Sequence, residues 1–117
     1  MSVDTILKYG KIILPYVRTG LAMQQEEAFK LLVDSINRIQ QLSGRAIVPI
    51  TNDTCPIGDL PDFDSANGLE LTCELAEHLA VEIPLDENVL VSEVGNKSLT
   101  VGEVVVRLCA LANKSED

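Results

Sequence analysis

Asp59-Leu60-Pro61-Asp62-Phe63-Asp64-Ser65-Ala66-Asn67-Gly68-Leu69-Glu70-Leu71 reads as a turn that runs directly into a helix. Asp64 is a good residue for the position just before a helix, because its carboxylate accepts bonds from the unpaired N–H groups of the first turn. Ser65 then falls on the first helical residue, with its hydroxyl beside the positive end of the helix dipole, a place that tolerates a phosphate ester. No His or Lys lies nearby in sequence to activate that hydroxyl. His78, the one histidine, is thirteen residues on, more than three helical turns away. A hydrolase would also need a G-x-S-x-G setting, which is missing. A serine displayed without a base is a handle for another enzyme rather than a nucleophile, so the chain is expected to be non-catalytic.

On either side of this stretch the chain reads as helices. Residues 65–80 form one, with Leu69, Thr72, Cys73, Ala76 and Leu79 expected on its inner face and Leu75 beside them. Glu70, Glu74 and Glu77 share an outer stripe, either a solvated face or a docking surface for basic partners. Upstream, residues 21–43 are the strongest helix. Phe29, Leu32, Val33, Ile36 and Ile39 repeat at helical spacing, and Ser43-Gly44 makes a stop. Between the two helices, residues 45–63 are a long loop with three prolines, in which Ile47, Val48, Ile50, Ile57 and Leu60 can pin to the core. Downstream, Pro84 ends the segment Val81-Glu82-Ile83-Pro84. A short helical turn is expected around Asp86 to Val91. Thr100-Val101-Gly102-Glu103 is a capping box that opens a last helix to about residue 112.

Residues 1–20 stand apart as an N-terminal extension. Ile6, Leu7, Ile13, Leu14 and Val17 fall near helical spacing, with Lys8, Lys11 and Arg18 among them. This amphipathic segment can pack on the domain, pair with a second copy, dock a partner or fray. Residues 21–113 make up the main domain and 114–117 a polar tail.

Composition narrows the classes. A chain of 117 residues has the length of one domain, and with no Trp, two Phe and two Tyr its core must be aliphatic. The net charge of −9 argues against nucleic acid and for basic partner surfaces. The charge is uneven: residues 1–45 carry +2 and residues 46–117 carry −11. Cys55, Cys73 and Cys109 have no metal-ligand spacing and read as reduced thiols, two of them on apolar helix faces. A calcium loop starting at Asp62 fails, because Ala66 takes the fifth position, Asn67 the sixth and Cys73 the twelfth. No apolar run is long enough to span a membrane and no secretory leader pattern is present, so a cytoplasmic protein is expected.

The run Leu60-Pro61-Asp62-Phe63-Asp64-Ser65 with Leu69-Glu70-Leu71, followed by Val81-Glu82-Ile83-Pro84, resembles the acyl carrier proteins over residues 25–112. Ala66 stands where that family usually has Leu, which removes an apolar contact used by modifying enzymes and partners. The resemblance implies an all-α, four-helix bundle of three main helices and one short one, here with an extra N-terminal helical segment. It implies that Ser65, beside Asp64, carries a covalent phosphopantetheine arm added by a phosphopantetheinyl transferase. On that arm an acyl group is held as a thioester for fatty-acid, polyketide or related biosynthesis. It further implies that Ala66, Glu70, Glu74 and Glu77 meet basic patches of acyl-transferring enzymes, and that Leu69, Cys73 and Leu79 line an acyl pocket or pack the core. A monomer is expected, with self-association through residues 1–20 as the alternative. Two other functions stay open: an unmodified acidic interaction module, and an aminoacyl or peptidyl carrier of the nonribosomal type.

Overall fold

The computed structural model describes residues 23–84, 87–92 and 97–114. Four helices follow in order: α1 (Gln25–Leu42), α2 (Pro56–Asp59), α3 (Ser65–Leu79) and α4 (Val101–Lys114). Helix α1 packs on both α3 and α4, and among the described residues no strand forms beyond one isolated antiparallel bridge, Val91 to Ser98. The fold is all-α, and no helix among the described residues is long and apolar enough to cross a membrane. The N-terminal extension lies outside the described residues.

The core is aliphatic, as the scarcity of aromatics requires. Leu32, Ile36, Leu71, Leu75, Val89, Leu90, Val101, Val104 and Leu108 are fully buried, and Phe63 is the one aromatic ring among the core residues. In α1 the buried stripe runs Ala28, Leu31, Leu32, Ser35, Ile36, Ile39, Gln40, the i, i+3, i+4 spacing of one helix face. Phe29 and Val33, expected at its centre, sit on the flank and are only half buried.

Helix α1 ends in a Schellman motif. Gly44 takes a left-handed φ of 74°, and the N–H groups of Gly44 and Arg45 donate to the carbonyls of Gln41 and Gln40 at 3.1 and 2.8 Å. The long loop that follows is held at both ends. Val48, Ile50 and Ile57 pack against the core, while Pro56 and Leu60 are buried. The carbonyls of Thr54 and Asn52 accept from the first-turn N–H groups of Val101 and Gly102 at 2.7 and 2.9 Å. The loop thus satisfies two donors that α4 cannot satisfy itself. Of the five residues expected to pin the loop, Ile47 does not, being 46% exposed.

The capping box of α4 forms as its spacing predicts: Glu103 N–H donates to Thr100 Oγ1 at 3.2 Å, and Thr100 N–H to Glu103 Oε1 at 2.8 Å. The short helical turn expected around Asp86 to Val91 is not found in residues 87–91; Asp86 itself lies outside the described residues. A turn at Val89–Leu90 replaces it, and Leu99 N–H donates to the Leu90 carbonyl at 2.9 Å. The physical reason is that this segment's backbone groups are taken by side chains of α3 and α4, as shown below. The one short helix among the described residues lies earlier, at α2, a single turn in which Ile57 and Gly58 depart from helical geometry.

Candidate functional site at the start of α3

The Leu60–Phe63 turn aims the chain. Phe63 N–H donates to the Leu60 carbonyl at 3.3 Å, with Pro61 second in the turn and Asp62 third at a left-handed φ of 55°. This is type II geometry, in which Pro suits the second position and the third must accept φ > 0. Phe63 is buried as the anchor, and Asp64 and Ser65 emerge on the surface.

Asp64 is the N-cap of α3. Its Oδ1 accepts from Asn67 N–H at 3.1 Å, and Asn67 Oδ1 accepts from Asp64 N–H at 3.1 Å, a reciprocal capping box. Gly68 N–H donates to the Asp64 carbonyl at 3.0 Å. The two remaining first-turn donors, the N–H groups of Ser65 and Ala66, belong to exposed residues and face solvent at the positive end of the helix.

Two other segments reach this turn and the helix start, and α4 holds one of those segments in place. From the end of α1, buried Gln40 donates to the Pro61 carbonyl at 2.9 Å and accepts from Arg45 Nη1 at 3.1 Å. The same Nη1 donates to Asn67 Oδ1 at 3.0 Å. The Schellman turn at Gly44 is what brings Arg45 back to reach it. From residues 87–92, Asn88 Nδ2 donates to the Ser65 carbonyl at 3.0 Å, while its Oδ1 accepts from Leu90 N–H at 3.0 Å. This approach requires Gly68, because a Cβ there would lie 2.6 Å from Asn88 Oδ1. Thr72 ties the same segment to α3, its hydroxyl donating to the Gly68 carbonyl at 2.7 Å and accepting from Val89 N–H at 3.0 Å. From α4, Arg107 donates to the carbonyls of Val89 and Val91 at 3.1 and 2.8 Å and to Glu87 Oε2 at 2.6 Å.

The structure therefore places Asp64 and Ser65 as their sequence implies, at the cap and first residue of a helix, with Ala66 exposed beside them. It redistributes the other candidates. Glu70 and Glu77 are exposed on α3, but Glu74 is half buried and paired with Arg38 of α1. Leu69 and Cys73, expected on the inner face, are on the outside, Leu69 at 38% exposure. Leu79 is buried in the core. The buried face of α3 is Gly68, Leu71, Thr72, Leu75 and Leu79, rotated by about one residue, or roughly 100°, from the expected one. This face buries Leu71 and Leu75 in the core in place of Cys73 and Ala76, and it sets Gly68 against Asn88. Of the thiols, Cys73 is exposed and Cys55 and Cys109 are half buried. Burial pushes the Cys109 thiol up, and the nearby Glu27 carboxylate adds to the shift.

Chemically, the site offers one exposed hydroxyl, two N–H donors and a rigid helix start. His78 lies at the other end of α3, about 20 Å along the axis at 1.5 Å per residue, so Ser65 has no imidazole to accept its proton. Gln40, Arg45, Asn67 and Asn88 carry no sequence signal of their role except Asn67, which stands three residues after an Asp cap. Compared with protein-family models, curated proteins and solved structures, the chain matches none.

Proposed function

We propose that this chain is an acyl carrier protein whose Ser65 accepts phosphopantetheine. The observation that carries the reading is the setting of Ser65: exposed, first in an Asp64-capped helix, and braced from α1, from α4 and from residues 87–92. The residues fit the group. The N–H groups of Ser65 and Ala66 in the first turn of α3 would help hold a phosphodiester on the Ser65 oxygen, since the helix dipole favours an anion there. The neighbouring Asp64 carboxylate is already engaged by Asn67 N–H, which limits its repulsion of that anion. When bound, the arm supplies a terminal thiol that carries an acyl group as a thioester. The chain's own part is to hold the attachment point still, and to offer Glu70 and Glu77 to basic partner surfaces. The resemblance also favours this reading over a module that acts without modification, since Asp64-Ser65 and Glu82-Ile83-Pro84 occur at the family's separation within one helical bundle.

The test is the intact mass of the protein after incubation with coenzyme A and a broad-specificity phosphopantetheinyl transferase. One arm's mass is gained by the wild type and none by Ser65→Ala, whose helicity and Tm stay unchanged. If Ser65→Ala still gains the mass, the attachment point is elsewhere. If the wild type gains nothing with several transferases, the unmodified acidic module becomes the better reading, and Ala66→Leu is the next variant to test.

A further inference from the structure

Arg45 is the one arginine among the described residues that no carboxylate pairs. Arg38 is paired with Glu74 and Arg107 with Glu87, whereas Arg45 donates to the amide oxygens of Gln40 and Asn67 at 3.1 and 3.0 Å. Both bonds come from Nη1 and use its two hydrogens, so the three N–H groups on Nη2 and Nε have no partner among the described residues. The turn that Arg45 braces carries Asp59, Asp62 and Asp64, and the chain has a net charge of −9, yet this cation bonds none of those carboxylates. It is also held in place. Gln40 is buried and fixed by its own bond to the Pro61 carbonyl, and Arg45 itself is half buried. A guanidinium tethered in this way has already given up much of the freedom that an exposed arginine loses on binding.

We propose, resting on the carrier reading, that Arg45 is the counter-ion of the arm and that its spare N–H groups pair with the phosphodiester formed on Ser65. The first support is position. Asn67 Oδ1 accepts from Arg45 Nη1 at 3.0 Å and from Asp64 N–H at 3.1 Å, so one oxygen atom separates the guanidinium from the backbone of the residue before Ser65. The second support is chemistry. A guanidinium presents its donors as a planar fork that matches two oxygens of a phosphate, and such charge-assisted bonds are stronger than those between neutral groups. The third support is need. Two of the four first-turn donors of α3 are spent, Asn67 N–H on the Asp64 carboxylate and Gly68 N–H on the Asp64 carbonyl. The N–H groups of Ser65 and Ala66 carry only partial charge, too little to offset an anion set beside Asp62 and Asp64. Arg45 supplies a full positive charge from the end of α1, and the root of the arm is thereby tied to a second helix.

The test is a thermal cycle on the full-length chain. Wild type, Arg45→Gln and Arg45→Lys are each loaded to completion with coenzyme A and a broad-specificity transferase, checked by intact mass, and melted with and without the arm. At low salt the change in Tm on loading is about 3 °C more favourable in wild type than in Arg45→Gln, the size expected of a partly exposed ion pair in a domain of this length. Arg45→Lys, which keeps the charge and loses the fork, falls between them. The difference closes at high salt. A merely structural brace predicts something else: Arg45→Gln lowers the Tm of the bare and the loaded protein equally, and that result overturns the proposal. If Arg45→Gln fails to fold or to load, the wild type decides by 15N NMR. A downfield move of the Arg45 side-chain N–H signals on loading supports the pairing, and unmoved signals overturn it. If wild type takes no arm at all, the carrier reading fails and the pairing fails with it. An arm gained without coupling to Arg45 overturns the pairing alone and leaves the carrier reading standing.

Discussion

Gly68→Ala is the most informative single change near Ser65, because two physical effects of similar size oppose each other. Inside an exposed helix the substitution is favourable by about 1 kcal/mol. Here the added Cβ falls 2.6 Å from Asn88 Oδ1 and 2.7 Å from Asn88 Nδ2, so the amide must move. Moving it breaks the bonds from Asn88 to the Ser65 carbonyl and from Leu90 N–H to Asn88. Each bond is worth about 1 kcal/mol, and more where a partly buried donor is orphaned. A loss of about 2 to 3 kcal/mol against a gain of about 1 leaves Gly68→Ala destabilised by about 1 to 2 kcal/mol. The assay is urea unfolding of wild type, Gly68→Ala, Asn88→Ala and the double variant. With Asn88 truncated the clash is gone, so adding Gly68→Ala to Asn88→Ala regains about 1 kcal/mol of helix propensity. The substitution therefore changes sign with the identity of residue 88. If Gly68→Ala alone stabilises the protein, Asn88 does not sit against α3 and the bracing of Ser65 described above is wrong.

Other outcomes follow from the same contacts. On the carrier proposal, reversing Glu70 and Glu77 to Lys weakens acyl transfer to partner enzymes at low salt with little change in Tm, whereas Glu74→Lys also lowers Tm because it opposes Arg38; normal turnover by the double variant would make the stripe a solvated face. Ala80→Gly raises stability by about 1 kcal/mol in urea titration, because Ala80 holds a left-handed φ of 56° that glycine adopts freely. Arg107→Gln costs about 3 kcal/mol and speeds hydrogen exchange at Leu99, since the Leu90 carbonyl it donates to belongs to the segment that Arg107 grips. The Glu103 carboxyl is held below its ordinary range by its bond to Thr100 N–H, so its folded pKa is depressed. That contribution is present above the unfolded value and is lost as pH falls through the folded one. Wild type is accordingly more stable than Glu103→Gln at neutral pH, and the difference vanishes in acid.

What could be read from the residues alone depended on whether the signal was local. The three long helices were legible because each repeats apolar residues at its own spacing, and the caps at Asp64 and Thr100 because a cap and its partner lie three residues apart. The inner face of α3 was not. Leu69, Thr72, Cys73, Ala76 and Leu79 fit helical periodicity as well as Gly68, Leu71, Thr72, Leu75 and Leu79 do, and glycine adds no apolar weight to either. The observed face buries Leu71 and Leu75, and the contact that brings Gly68 against Asn88, twenty residues away, leaves no periodic trace. The same holds for buried Gln40 and for Arg107, whose partners include backbone carbonyls that any sequence would supply. The short helical turn expected near Val91 shrinks to one bond, from Val91 N–H to the Asn88 carbonyl, because the N–H groups of Val89 and Leu90 go to Thr72 Oγ1 and Asn88 Oδ1.

The grip of Arg107 has a consequence for anyone wishing to transplant the serine. Helix α4 contributes nothing to the surface around Ser65, yet its guanidinium holds the strand of chain from which Asn88 reaches the Ser65 carbonyl. From the opposite side, Gln40 and Arg45 hold Pro61 and Asn67. Grafting residues 59–71 onto another bundle would carry the motif but leave four of its supports behind. The setting of Ser65 is a property of the whole scaffold, and a recipient would have to supply its own counterparts at positions equivalent to 40, 45, 88 and 107 before the borrowed serine was held the same way.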